Sequence, residues 1–112
     1  MKVEKLDRMT RGWFIGDFAP SLCRTRDVEV AVKRYAAGDH EAAHYHKVAT
    51  EYTVIIEGRV EMFGRTFAAG DIVVCEPGDR TAFTALTDAV NVVVKLPGVS
   101  DDKYLCMEES SC

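Results

Sequence analysis

Apolar residues occupy every second position in two stretches of this chain. In residues 28–33 (VEVAVK) the valines alternate with Glu29, Ala31 and Lys33, and residues 90–96 (VNVVVKL) repeat the pattern. A period of two predicts β-strands with one apolar face. No window has a strong helical period. Only the segment up to Met9 and the C-terminal tail are expected to hold a turn or two of helix.

Short turn signals separate these apolar runs. They are AAGDH, EGR, FGR, AAGD, EPGD, LTD and LPG. They recur at intervals of about 8–12 residues, and the runs between them are rich in Val, Ile, Tyr, Phe and Thr, as in antiparallel sandwiches and barrels. The pattern therefore predicts an all-β domain.

The run YTVIIEG (52–58) is apolar on both faces, with Glu51, Thr53 and Ile55 on one side and the intervening residues on the other. Such a strand needs cover on both sides. Either a second subunit covers it, or the aromatic segment GWFIGDFAPS (12–21) of the same chain does. Both remain open, and a homodimer is one expectation.

Composition narrows the class of protein. The chain has 112 residues, which is the length of one domain. Of these residues 47% are hydrophobic and 29% are charged, and the net charge is −4, as in ordinary globular proteins. The sequence contains no cluster of basic residues that could bind the phosphates of a nucleic acid, so we expect no nucleic-acid partner. The N-terminus has no apolar core of a secretory signal, and no apolar run is long enough to span a membrane, so we expect a cytoplasmic protein. The four cysteines show no CxxC spacing, and we expect unpaired thiols.

All three histidines lie in one stretch, GDHEAAHYHKVATEYTVIIEG (38–58). His44 and His46 are two positions apart, so both leave the same face of an extended strand and can reach one metal ion. A bend at KVAT would bring Glu51 to the same point, giving two imidazoles and a carboxylate. An isolated HxH pair also occurs in surface or hydrogen-bonded histidines, so the pair alone leaves both interpretations open.

The wider spacing resembles the first motif of the cupin family. It runs Gly38, five residues, His44, one residue, His46, four residues, Glu51, six residues, Gly58. The stretch GDIVVCEPGDRTAF (70–83) resembles the second motif in part. Thr81 stands where the family has its last metal-binding histidine, and Ala85 stands at a position that is often asparagine.

The resemblance implies a jelly-roll β-barrel with a core at about residues 28–96. The N-terminal segment 1–27 would pack on it, and residues 97–112 would form a tail in which Tyr104 and Leu105 dock and 108–112 are mobile. It further implies one divalent metal ion (Fe, Mn, Ni, Zn or Cu) held by His44, His46 and Glu51, and commonly a homodimer.

The threonine leaves three outcomes open: a metal on three protein ligands, a loosely bound metal, or a metal-free pocket. We expect Thr81, Arg80, Cys75 and His40 around the pocket, with Cys75, Asp79 or His40 as possible further ligands. The favoured function is a metal-dependent enzyme acting on a small polar metabolite, whether by oxygenation or isomerisation. The alternative is a non-catalytic module that binds or senses a small molecule or carbohydrate.

Overall fold

The computed structural model describes residues 1–106, and they form two antiparallel β-sheets. After one short 3-10 helix (Leu6–Arg8), the strands are β1 (Trp13–Ile15), β2 (Glu29–Tyr35), β3 (His40–Tyr45), β4 (Thr50–Glu57), β5 (Arg59–Met62), β6 (Arg65–Ala68), β7 (Ile72–Cys75), β8 (Thr81–Ala85), β9 (Ala89–Leu96) and β10 (Tyr104–Leu105). The first sheet has the order β1-β2-β9-β4-β7 and the second the order β10-β3-β8-β5-β6. The predicted all-β fold is confirmed.

The turn between β4 and β5 carries the chain from one sheet to the other. Gly58 takes a φ of +82° there, and an added Cβ would lie 2.1 Å from the backbone oxygen of Asp88. Both facts restrict the position to glycine. The turn lets β5 begin immediately after β4, so the two sheets are connected at this end with no loop.

A compact apolar core closes one end of the space between the sheets. Its buried members come from both sheets and are Ile55, Val60, Met62, Val73, Cys75, Phe83, Ala85 and Ala89. Tyr35 and Phe67 pack against this cluster. The other end is left to polar side chains, which line a cavity.

Hydrophobicity alone predicts that the valine-rich faces of β2 and β9 point inward, and this prediction is wrong. In β9 the buried residues include Asn91 and Lys95, whereas Val92 and Val94 on the alternate face are only half-buried. In β2 the buried Glu29 likewise faces inward. These polar side chains line the cavity at this end of the space between the sheets.

The outer face of the first sheet remains largely apolar and exposed. Tyr52, Ile56, Ile72 and Val74 are 37–63% exposed. The N-terminal β1 pairs with β2 at the edge of this sheet, so it does not cover β4 and β7. The homodimer therefore stays a prediction, for which this exposed apolar face is the candidate interface.

The C-terminal segment joins the second sheet through β10, which pairs with β3. The predicted docking of Tyr104 and Leu105 is thus confirmed, while the prediction for 108–112 falls outside the described residues. Cys23 and Cys75 are free thiols, but Cys106 is disulfide-bonded, contrary to the expectation of unpaired thiols. Within residues 1–106, no helix has the length and apolar character needed to cross a membrane.

Candidate functional site

A cavity of about 410 Å³ opens between the two sheets. Of the residues proposed from sequence, His44, His46, Glu51, Cys75 and Thr81 all line it. These side chains come from β3, β4, β7, β8 and the loop after β3. The fold therefore brings together, at one cavity, residues that are up to 37 positions apart in the sequence.

Backbone carbonyls hold the two histidines at their Nδ1 atoms. His44 Nδ1 lies 2.9 Å from the oxygen of Ala42, and His46 Nδ1 lies 2.5 Å from the oxygen of Asp102. A carbonyl only accepts, so each Nδ1–H donates, and in the neutral ring Nε2 keeps its lone pair. The rings meet edge-to-face with centroids 5.5 Å apart.

Glu51 enters the cavity from the second position of β4, directly facing His46. Its Oε1 is 3.7 Å from His46 Nε2, which is an electrostatic contact and too long for a hydrogen bond. The Glu51 carboxylate raises the pKa of His46 against the opposing effect of burial. Burial alone would raise the pKa of Glu51, but the nearby His46 lowers it. Burial lowers the pKa of His44.

The donor atoms present fit a divalent transition metal, although they are not yet gathered around one point. His46 Nε2 is buried and has no hydrogen-bond partner, and a neutral imidazole nitrogen beside a carboxylate is a typical ligand set. Among the described residues, however, no group of three or more His, Cys, Asp or Glu side chains is arranged so that it could hold a metal ion. Binding would need these side chains to turn towards a common point.

Thr81 lies beside His44, because the two residues are partners in the ladder between β8 and β3. Its hydroxyl accepts the N–H of Phe63 at 2.8 Å and donates to the oxygen of Ala82 at 2.6 Å. Its oxygen is therefore engaged by the backbone, and the correspondence of Thr81 with the last histidine of the cupin pattern stays a prediction from the sequence.

Cys75 faces Glu51 across the ladder between β7 and β4 and is buried. Burial, assisted by the charges of Glu51 and Asp79, raises the pKa of the Cys75 thiol to about 12. The side chain is therefore a neutral thiol at ordinary pH. Asp79 also lines the cavity, where its carboxylate accepts the N–H of Glu76 at 2.9 Å.

Arg80 and His40 lie away from this cavity's lining. The Arg80 guanidinium stacks over the ring of Tyr45 at 4.8 Å from its centroid. His40 is exposed, and its Nδ1 lies 3.0 Å from the hydroxyl of Thr84.

Asp102 is a site residue that the sequence did not reveal. Only 2% of it is exposed, and its carboxylate accepts the backbone N–H groups of Lys47, Val48 and Ala49. These three residues form the loop that joins His46 to β4, and the carbonyl of Asp102 holds His46 itself. In the sequence nothing distinguishes Asp102 from its exposed neighbour Asp101.

A buried ion pair was also missed. Lys95 Nζ lies 3.3 Å from Glu29 Oε1, and in the β-ladders Lys95 stands between Glu29 on one side and Glu51 on the other. Polar residues at alternate positions of otherwise apolar strands are the sequence signal from which Glu29, Lys95 and Glu51 could have been predicted to lie side by side.

Comparison with known proteins places the architecture in a class. No family model matches the sequence, and the search of curated proteins found no match. A conserved protein of Klebsiella pneumoniae with a double-stranded β-helix domain has a TM-score of 0.70 at 23% identity, covering 96% of this chain and 93% of that chain. The two-sheet barrel is therefore a double-stranded β-helix.

Two further matches define the fold more narrowly. An RmlC-like cupin of Shewanella frigidimarina has a TM-score of 0.61 at 17% identity, covering 69% of this chain and 72% of that chain. Oxalate decarboxylase of Bacillus subtilis, which has Mn(II) centres, has a TM-score of 0.58 at 23% identity, covering 71% of this chain and 24% of that chain. The chain thus has a cupin-type fold, which confirms the fold inferred from the motif resemblance.

Proposed function

We propose that this protein is a metal-dependent enzyme that binds a small polar metabolite in the cavity between its sheets. One observation carries the proposal: His46 Nε2 is buried without a hydrogen-bond partner, opposite Glu51 and beside His44. A buried nitrogen of this kind needs a partner, and a divalent ion would supply one.

The residues of the chain have distinct parts in this function. His44, His46 and Glu51 would hold the ion, and the backbone carbonyls that bind both Nδ1 atoms would leave each Nε2 as the ligand atom. Apolar side chains, including Met62 and Phe83, form part of the cavity lining. When bound, the metal supplies Lewis-acid chemistry or activation of dioxygen.

Metal binding is tested on protein purified without chelator or affinity tag. Elemental analysis and calorimetric titration with Mn²⁺, Fe²⁺ and Zn²⁺ should give one ion per chain. Replacing His44 or His46 with Ala, or Glu51 with Gln, should abolish binding or weaken it by roughly tenfold or more. The matched control is His40→Ala, which removes the exposed third histidine. Equal stoichiometry and affinity in all four variants would reject the site.

Turnover separates the reaction types. Incubation with a panel of small polar metabolites, in air and without oxygen, distinguishes oxygenation from isomerisation. Loss of turnover in the Glu51→Gln variant, together with retention in the His40→Ala variant, would support catalysis at this site.

A non-catalytic binding module is the second candidate, favoured by the absence of a gathered ligand set within residues 1–106. A thermal-shift screen addresses it, because a ligand raises the melting temperature of the protein it binds. Stabilisation by a compound that is never consumed would favour the binding module over the enzyme.

A further inference from the structure

The charged residues that line the cavity are unequally partnered. Its four acidic side chains are Glu29, Glu41, Glu51 and Asp79, and its four basic side chains are Arg11, Lys33, Lys95 and Lys103. Three of the acidic residues have a partner: Lys95 for Glu29, His46 for Glu51 and a backbone N–H for Asp79. The Glu41 carboxylate helps to raise the pKa of Tyr35. Among the basic residues, only Lys95 makes an ion pair within the described part of the chain.

Lys33 is the innermost of the three basic residues that lack an ion pair. It is half-buried in β2, whereas Arg11 and Lys103 are exposed. Its ammonium lies 5.5 Å from the centroid of the Trp13 ring, a weak cation–π contact. Burial lowers the pKa of Lys33, Glu41 opposes this effect, and the neighbouring charges of Arg11 and Lys103 add to it. An ammonium in these surroundings is favoured by a nearby anion.

Asn91 supplies a second, independent observation. It is the ladder partner of Lys33 on β9 and is only 1% exposed. Its Oδ1 is buried without a hydrogen-bond partner, although the residue lines the cavity. A side-chain amide can both donate and accept, so a ligand hydroxyl would satisfy it.

We propose that the cavity binds a small hydroxylated anion, with its carboxylate or phosphate at Lys33 and a hydroxyl at Asn91. This ligand class deepens the function proposed above and rests on it for the chemistry. The binding groups themselves belong to β2 and β9, apart from His44, His46 and Glu51. The subsite can therefore be tested whether or not a metal binds.

Four three-carbon probes isolate each chemical group. Glycerate has a carboxylate and hydroxyls, glycerol 3-phosphate has a phosphate and hydroxyls, propionate has only the carboxylate, and glycerol has only the hydroxyls. Titrations are run on chelator-treated protein and on protein loaded with Mn²⁺, because an anion could otherwise bind through the metal alone. We expect at least one of the two hydroxylated anions to bind about tenfold more tightly than propionate and glycerol. The tighter of the two identifies the anionic group.

Three variants test the assignment. Lys33→Met keeps the length of the side chain without the charge and should weaken binding of the preferred anion by about tenfold. Asn91→Leu removes the amide and should reduce the preference for that anion over propionate. The control is Arg34→Met, which removes the exposed cation at the next position of β2. If Asn91→Leu fails to fold, Asn91→Ala replaces it.

The outcomes are separable from those of the metal proposal. Binding that depends on Lys33 in chelator-treated protein supports the subsite even where no metal is taken up. Absence of saturable binding of either hydroxylated anion up to about 10 mM overturns it. Equal weakening by Lys33→Met and Arg34→Met, or an affinity for glycerol equal to that for the tighter-binding anion, overturns it as well.

Discussion

Replacing Asp102 tests whether a distant carboxylate orders the loop between the candidate metal ligands. Asp102→Asn keeps the shape of the side chain but replaces one acceptor oxygen with a donor amide. The Oδ2 atom accepts the N–H of Ala49 at 2.9 Å and that of Val48 at 3.1 Å. In the variant, one side of the amide would therefore present a donor to at least one of these N–H groups.

The expected loss in the free energy of unfolding depends on which of these N–H groups can bind water in the variant. Ala49 is fully buried, so losing its acceptor costs about 1–3 kcal/mol. Lys47 and Val48 are exposed, so water can replace part of what each loses, at about 0.5–1.5 kcal/mol apiece. The sum is about 2–6 kcal/mol for Asp102→Ala, with Asp102→Asn towards the lower end. A domain of this size has a total stability of about 5–15 kcal/mol.

The assay is urea unfolding followed by circular dichroism, combined with Mn²⁺ titration of the folded variant. Metal affinity should fall with stability, because the carbonyl of Asp102 also holds His46. Asp101→Asn is the control, since Asp101 is exposed and its φ of +61° suits asparagine. If the unfolding free energies of Asp102→Asn and Asp101→Asn agree within about 0.5 kcal/mol, the reasoning fails.

The same carboxylate predicts a pH dependence. Burial alone would raise the pKa of Asp102, but the N–H bonds from Ala49, Lys47 and Val48 lower it. A carboxyl with a folded pKa below its unfolded value of about 3.9 contributes stability above that value. This contribution is lost as the pH falls through the folded pKa. In Asp102→Asn that part of the acid destabilisation should be absent.

Three further predictions follow from other parts of the molecule. Thr81→His should raise metal affinity, because it places an imidazole beside His44. The control Thr81→Val loses the same hydroxyl bonds and should not raise it. Equal affinities of the Thr81→His variant and the wild type in competition titrations would show that residue 81 faces elsewhere. Light scattering at micromolar concentration should give about twice the 12.4 kDa chain mass, and Ile72→Glu on the exposed apolar face should give the monomer while Thr66→Glu on the other sheet should not; a monomeric wild type would refute the dimer. Iodoacetamide at pH 8 should modify the exposed Cys23 and spare Cys75, because the raised pKa of Cys75 keeps its thiol protonated; equal labelling by peptide mass mapping would contradict this.

The strands were predictable because alternation with a period of two survives even where the inner face is polar. The positions of β4 and β9 followed from their apolar runs, and Glu51, Thr53 and Ile55 do share the inward face of β4. The clustering of His44, His46 and Glu51 at one cavity also followed from local spacing, because a single bend joins the two strands.

The inner face of β9 and the role of Asp102 were not predictable in this way. Hydrophobicity places the alternating Val90, Val92 and Val94 inside, but here Asn91, Val93 and Lys95 face the cavity, and those three valines lie on the outer face. Asp102 is 53–56 positions from its partners. Local pattern contains no information about a contact over that distance, and only the three-dimensional pairing of β10 with β3 brings it into place.

Because side chains alternate along β9, its pairing register decides both which residues line the cavity and which lie on the outer apolar face. Its inward side chains Asn91, Val93 and Lys95 line the cavity, and its outward ones, Val92 and Val94, belong to the apolar face of the sheet. A shift of one residue against its neighbours would exchange every one of them, placing valines in the cavity and an ammonium on the apolar face. β9 is paired on both sides, with β2 and with β4. A mutation that loosens either ladder would therefore disturb the cavity and the apolar outer face together.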